Sequence, residues 1–253
     1  MAAPLAMAAL LLPTAYLLPA VDLTGPVALA AYWISESGGT IGTPILCLCL
    51  ALLIVGRDGL TWTQRGGELS VIILAPAVLF GGAAYLNEYV VKPSFAVPRP
   101  NIVGLAKTSA LGISVDDFYA IPTKQRRSEY LTTVLTPNVD PPMAELIRSH
   151  WIHETGYSFP SGHSFSAMLV ATVFLGLGLT QFSGKRVWVF YGLVSWAIAV
   201  CLSRPILRVH SATDIFVSGL EGIILGVVAF TLVYSILEKF AYGAEQLNDG
   251  TSG

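Results

Sequence analysis

Residues 187–237 read VWVFYGLVSWAIAVCL (187–202), SRPILRVHSATD (203–214) and IFVSGLEGIILGVVAFTLVYSIL (215–237). Two long apolar runs are joined by twelve residues that hold Arg204, Arg208, His210 and Asp214. Runs this long and this poor in charge read as membrane helices, so the joint lies at a membrane mouth. Charges there are expensive and usually functional. His210 and Asp214 are four apart, and on a helix they share one face, a turn apart. A carboxylate beside an imidazole fixes its tautomer, as a nucleophilic or acid–base histidine requires. The plainer alternative is an interfacial pair that only caps a helix.

Composition agrees with the membrane reading. The chain has 253 residues, 54% of them hydrophobic and 12% charged, and its mean hydropathy is +0.66. A soluble domain carries about 25% charged residues. The formal net charge of −2 offers no basic field for nucleic acid. Cys47, Cys49 and Cys201 all fall inside apolar runs and suggest neither a disulfide framework nor a cysteine metal site.

The expected fold is an all-α membrane protein with six transmembrane helices. The spans are Met1–Val21, Ile41–Val55, Ser70–Val91, Gly162–Phe182, Val187–Leu202 and Asp214–Leu237. Met1–Val21 reads as a retained span rather than a signal peptide, because no Lys or Arg precedes Arg57. Val27–Ile34 reads as a short interfacial or re-entrant helix. Arg57–Glu68 is a polar connection and Ser203–Thr213 a returning loop. Lys92–Phe159 is too long for a turn and reads as a partly helical extramembrane cap between helices 3 and 4, with short helices at Asp116–Tyr119 and Ala144–His153. Residues 1–253 thus form one integral membrane domain with a cap segment at about 92–159. Gly219, Gly222 and Gly226 make a small-residue stripe suited to close helix packing.

Six spans put both termini on one side. The short loops there carry Arg57, Arg65, Lys185, Arg186 and Lys239, whereas Asp22–Thr40 carries no Lys or Arg. The positive-inside rule then places the termini in the cytoplasm and the cap outside.

Three polar clusters share the outer side. In KPSFAVPRP (92–100), prolines rule out an ordinary helix and set Lys92 and Arg99 on a stiff extended loop. Two fixed cations suit an anion, and the guanidinium fork suits phosphate; the alternative is charges snorkelling at a membrane boundary. In FPSGH (159–163) a helix N-terminus presents free N–H groups to an anion, with Ser161 adding a hydroxyl, Gly162 allowing close approach, and His163 in the first turn. The alternative is an N-cap followed by a buried histidine. The third cluster is Arg204, His210 and Asp214. Together they suit phosphoryl transfer, which depends on positioning and charge stabilisation. The residues alone leave open which histidine attacks.

The patterns K-x6-RP, PSGH and SR-x5-H-x3-D, in this order, resemble the type 2 phosphatidic acid phosphatases, a family whose site is shared with vanadium haloperoxidases. VDDFY (115–119) and RSHWIHETG (148–156) are similar to the bacterial phosphatidylglycerophosphate phosphatase B branch. Ser211 departs from the pattern, since many members carry an aromatic residue there. The resemblance implies a bacterial inner-membrane enzyme with its site facing the periplasm. Its substrates would be phosphatidylglycerophosphate, and also phosphatidic acid or undecaprenyl diphosphate. It further implies His210 as the nucleophile that forms a phosphohistidine, Asp214 as its orienting partner, and His163 as the acid and then the base. Lys92, Arg99, Ser161, Gly162 and Arg204 would bind phosphate, with no metal and no other cofactor. Glu154 is a possible pocket residue. His150-x-x-His153 followed by Glu154 lacks a third strong ligand at helical spacing and is not read as a metal site. Arg208 and Glu221 have no assigned role, and Glu88 reads as an ion-pair partner of Lys92. The partners expected are the lipid substrate and the bilayer. The alternatives are a non-catalytic lipid-phosphate receptor or transporter and a vanadate-dependent peroxidase.

Overall fold

The structure is a computed structural model that describes residues 14–250, with side chains described through residue 239. Among these residues there are helices and no strands. After a single 3-10 turn, Leu18–Ala20, the chain forms α1 (Pro26–Ser37), α2 (Gly42–Val55) and α3 (Trp62–Leu86). Four short helices follow: α4 (Pro100–Lys107), α5 (Val115–Ala120), α6 (Lys124–Val134) and α7 (Glu145–His153). Three long ones close the chain: α8 (Gly162–Gln181), α9 (Val187–Ile206) and α10 (Ala212–Gly250).

α3 with its continuation, α8, α9 and α10 are each long and apolar enough to cross a membrane. α1 and α2 pass the same test as a pair, bent by 60°. The described residues therefore hold four candidate spans, or five if the bent pair counts as one. The expected first span, Met1–Val21, falls largely outside the described residues.

α8 is the central helix, and most of its length is buried. It packs against α10 at close range. A Cβ on Gly222 would stand 2.3 Å from the Phe165 carbonyl oxygen, and one on Gly226 2.7 Å from Thr172 Cβ. The small-residue stripe is thus what lets these helices approach. Leu220, Ile223, Ile224, Val227 and Val228 on α10 stay exposed, as lipid-facing residues do. A second apolar core sits at one end of the bundle, where Ile102, Leu105, Phe118, Leu131, Ile147 and Trp151 close over Leu207 and Val209.

Several boundaries differ from the sequence reading. The connection at Arg57–Glu68 is helical from Trp62, because Thr61 and Gln64 form a capping box: Gln64 N donates to Thr61 Oγ1 and Thr61 N to Gln64 Oε1. α3 does not stop at Val91. It widens into a π turn over Asn87–Val91 and makes one further turn, Lys92–Phe95. Lys92 is therefore helical rather than on an extended loop. Pro93 enters the first turn of that last segment, where a missing N–H does least harm. The helix ends at Ala96, in the left-handed region at φ 46°. α9 runs on through Arg204 and Pro205 to Ile206, so the returning loop shrinks from Ser203–Thr213 to residues 207–211. The 92–159 segment also contains α4 and α6, which the sequence reading had left without structure.

Candidate active site

Residues 207–211 bring His210 over the start of α10, where it is 2% exposed. His210 is not part of that helix. It meets Asp214 because Ser211 caps α10: Asp214 N donates to Ser211 Oγ at 3.2 Å, and Ser211 N donates to Asp214 Oδ2 at 2.8 Å. This reciprocal cap turns the carboxylate back toward the helix start. Asp214 Oδ2 then lies 3.7 Å from His210 Nδ1. The Ser158 hydroxyl donates to the same oxygen and stands 3.4 Å from His210 Nδ1. On the other side of the ring, Arg99 Nη1 is 3.4 Å from His210 Nε2. Burial pulls the His210 pKa below its ordinary value, and the Asp214 contact only partly offsets this.

Arg99 is 3% exposed. Its Nε donates to the Gly156 carbonyl at 2.9 Å and its Nη1 to the Val209 carbonyl at 3.2 Å. Its backbone N–H donates to Tyr119 Oη at 2.9 Å. Arg204, on the last turn of α9, is fully buried. Glu154 joins the two guanidiniums, Oε2 to Arg99 Nη2 at 2.7 Å and Oε1 to Arg204 Nη2 at 2.8 Å. Burial would raise the Glu154 pKa, but Arg99 and Arg204 outweigh it and hold the carboxyl well below the usual range. Among the described residues the Arg204 Nε has no partner.

Ser161 caps α8, its Oγ accepting from Ser164 N at 3.4 Å, while its own N–H donates to Ser218 Oγ at 2.7 Å. Gly162 has nothing within 4 Å of where a Cβ would stand. Gly162, His163 and Lys92 line a cavity of about 760 Å³. The charges of Arg204 and Glu154 act on the His163 ring. Lys92 is held by Glu88 at 2.7 Å, and Lys124 of the 92–159 segment binds the same carboxylate. Away from these groups the cavity wall is apolar, with Ile72, Pro76, Phe80, Leu169, Val173 and Phe174 from α3 and α8.

The structure thus gathers His210, Asp214, Arg99, Arg204 and Glu154 into one buried cluster. It sets Lys92, Gly162 and His163 on the wall of the cavity, and Ser161 behind them at the helix start. Arg208 lies outside the cluster, donating to the Val21 carbonyl at 3.2 Å. Glu221 accepts from Asn87 Nδ2 at 2.9 Å. Sequence reasoning missed Ser158, which carries no motif of its own. It also missed Ser35, which accepts from Arg204, because SESGGT (35–40) reads as a plain turn. His150, weighed only as a metal ligand, instead faces Arg204 Nη1 at 3.4 Å.

The PAP2 superfamily pattern matches residues 69–239. Phosphatidylglycerophosphatase B of Escherichia coli (strain K12) is 32% identical over 221 residues, covering 86% of this chain and 80% of that protein. The protein of the same name from Haemophilus influenzae is 27% identical over 225 residues, covering 84% of each. A crystal structure described as the first transmembrane PAP2 type phosphatidylglycerolphosphate phosphatase, from Bacillus subtilis, is 22% identical and covers 94% of this chain and 98% of its own. Its TM-score to this chain is 0.36. With the pattern running over well more than half of the sequence and the Escherichia coli relative covered over most of its length, the chain belongs to the PAP2 superfamily.

Proposed function

We propose that this protein is a lipid phosphate phosphatase that works through a phosphohistidine on His210. One observation carries the reading: a buried imidazole has a carboxylate on its Nδ1 side and a guanidinium on its Nε2 side. Asp214 favours the tautomer with its proton on Nδ1, which leaves Nε2 unprotonated; its lone pair faces Arg99 at rest and turns to phosphorus when substrate binds. Nε2 forms a bond to phosphorus as the ester P–O bond breaks, and the electron pair leaves on the lipid alkoxide. His163 gives that alkoxide a proton. Neutral His163 then takes a proton from water, whose oxygen attacks phosphorus and breaks the N–P bond.

Arg99, Arg204 and Lys92 neutralise the phosphate oxygens, and Ser161 with the N–H of Gly162 completes the cradle at the start of α8. The cations supply the charge that a metal supplies in kinases, so no metal takes part. Glu154 already occupies the fork between Arg99 and Arg204 as an anion, which supports reading that fork as a phosphate site.

The apolar cavity supports a lipid substrate, since its polar end at Lys92 and His163 suits a headgroup and its wall suits a tail. The substrate class is phosphatidylglycerophosphate, with phosphatidic acid and undecaprenyl diphosphate beside it. The chain is one membrane domain of six spans, with residues 92–159 as its cap. It lies in a bacterial inner membrane with its termini cytoplasmic and its site facing the periplasm. The test is phosphate release by the purified full-length chain from these lipids side by side, with His210→Ala as the blank. Release that His210→Ala leaves unchanged refutes the reading.

A further inference from the structure

Besides Glu154, Arg204 has two further partners from outside the three polar motifs, both on Nη1. Its Nη1 donates to the hydroxyl of Ser35, which is fully buried near the end of α1. The same Nη1 faces His150 Nε2 at 3.4 Å, and Glu36 lies 3.6 Å from His150 Nδ1. Burial, then the charge of Arg204, lowers the His150 pKa to about 3. The ring is therefore neutral, and an Nε2 that faces a guanidinium acts as an acceptor. The proton then sits on Nδ1, toward Glu36.

The stretch that carries Ser35 is pinned on two sides. Trp196 Nε1 of α9 donates to Ser37 Oγ at 3.0 Å, and Ser166 Oγ of α8 donates to the Gly38 carbonyl at 3.3 Å. A Cβ on Gly38 would stand 2.5 Å from Val200 Cγ1, so the backbone already lies against α9. A Cβ on Gly39 would stand 3.4 Å from His163 Nε2. The elbow between α1 and α2 therefore lies against the helix that carries Arg204 and lines the same cavity as His163.

We infer that Ser35 and His150 are positioning residues for phosphoryl transfer: they hold Nη1 of Arg204 and so aim its Nη2 and Nε edge at the anion. The inference rests on the reading of Arg204 as a phosphate ligand. Among the described residues, Nη2 is turned to Glu154 and Nε is unpartnered, whereas both partners of Nη1 come from this outer support. A hydrogen bond to a charged group in such a place is worth about a tenfold to hundredfold change in an equilibrium.

The experiment uses the full-length chain in detergent. It compares wild type, Ser35→Ala, Ser35→Thr and His150→Gln. Three readouts are taken: phosphate release from phosphatidic acid as kcat and KM, inhibition by vanadate, and thermal protection by vanadate. Ser35→Ala should lower kcat about tenfold to hundredfold and weaken vanadate inhibition by the same factor, with KM little changed. Ser35→Thr keeps the hydroxyl and should recover most of the loss. His150→Gln keeps an acceptor and should lose less than Ser35→Ala. Vanadate inhibition and protection equal to wild type in Ser35→Ala would overturn the inference, whatever its thermal stability. A wild type that releases no phosphate would sink the phosphatase reading instead, and vanadate protection of the four proteins would still decide the role of Ser35.

Discussion

Asp214 receives hydrogen bonds from two donors on one oxygen, the Ser211 N–H and the Ser158 hydroxyl. Both hold the carboxylate in place next to the buried His210 ring. Ser211 therefore aims the Asp214 carboxylate as well as capping α10. Ser211→Ala removes the cap hydroxyl, a loss of about 1 kcal/mol, or about 2–4 °C in Tm for a chain of this size. It should also lower kcat, because the cap aims Asp214; a scan and a turnover assay on the same preparation check both. His150 gives a pH prediction. Its folded pKa of about 3 lies below the ordinary 6.5. A lowered folded value means that its stabilisation is complete above about 6.5 and is lost as pH falls through that range toward 3. The Tm of wild type should fall below about pH 6.5, and His150→Gln should flatten that fall; identical slopes would contradict it. His210, Asp214, Arg99 and Arg204 were legible because motif spacing marks them. Ser158 and Ser35 were not, since a lone serine signals nothing until the fold sets it beside a charge.

The long helices were legible as apolar runs, and α8 and α9 begin where Gly162 and Val187 lead the sequence to expect. Their ends were less so. The TWTQ capping box at Thr61–Gln64 starts α3 early, and Pro205 fails to stop α9. The π turn at Asn87–Val91 has a physical reason in Pro93. An ordinary α-helix would press the proline ring against the carbonyl of Tyr89, and a wider turn just before it relieves that clash. The turn also sets Asn87 against Glu221 of α10. This contact ties α3 to α10 one turn before Lys92. Glu221→Leu should lower Tm and raise KM for lipid phosphates several-fold, because Lys92 loses its fixed height. Glu221→Gln keeps a hydrogen-bond partner and should resemble wild type. Equal KM in the two variants would show that the contact does not position Lys92.

At the scale of the whole molecule, polar chemistry is gathered at one end of an apolar bundle, beside a cavity between α2, α3 and α8. That cavity was not legible in the sequence, because its wall is assembled from residues more than a hundred positions apart, such as Thr43 and Phe174. If lipid tails lie in it, Ala84→Phe should raise KM for a two-tailed lipid phosphate while leaving vanadate inhibition unchanged. Weakened vanadate inhibition would instead mean that the substitution disturbs the phosphate cradle. The proposed histidine nucleophile rests on the buried His210–Asp214–Arg99 arrangement. The most direct measurement is a rapid alkaline quench of the full-length chain turning over a lipid labelled with radioactive phosphorus in its terminal phosphate. The expected result is label bound to the chain in wild type, mapped to His210, and absent in His210→Ala. Phosphate release with no label on His210, or equal release by His210→Ala, would contradict it.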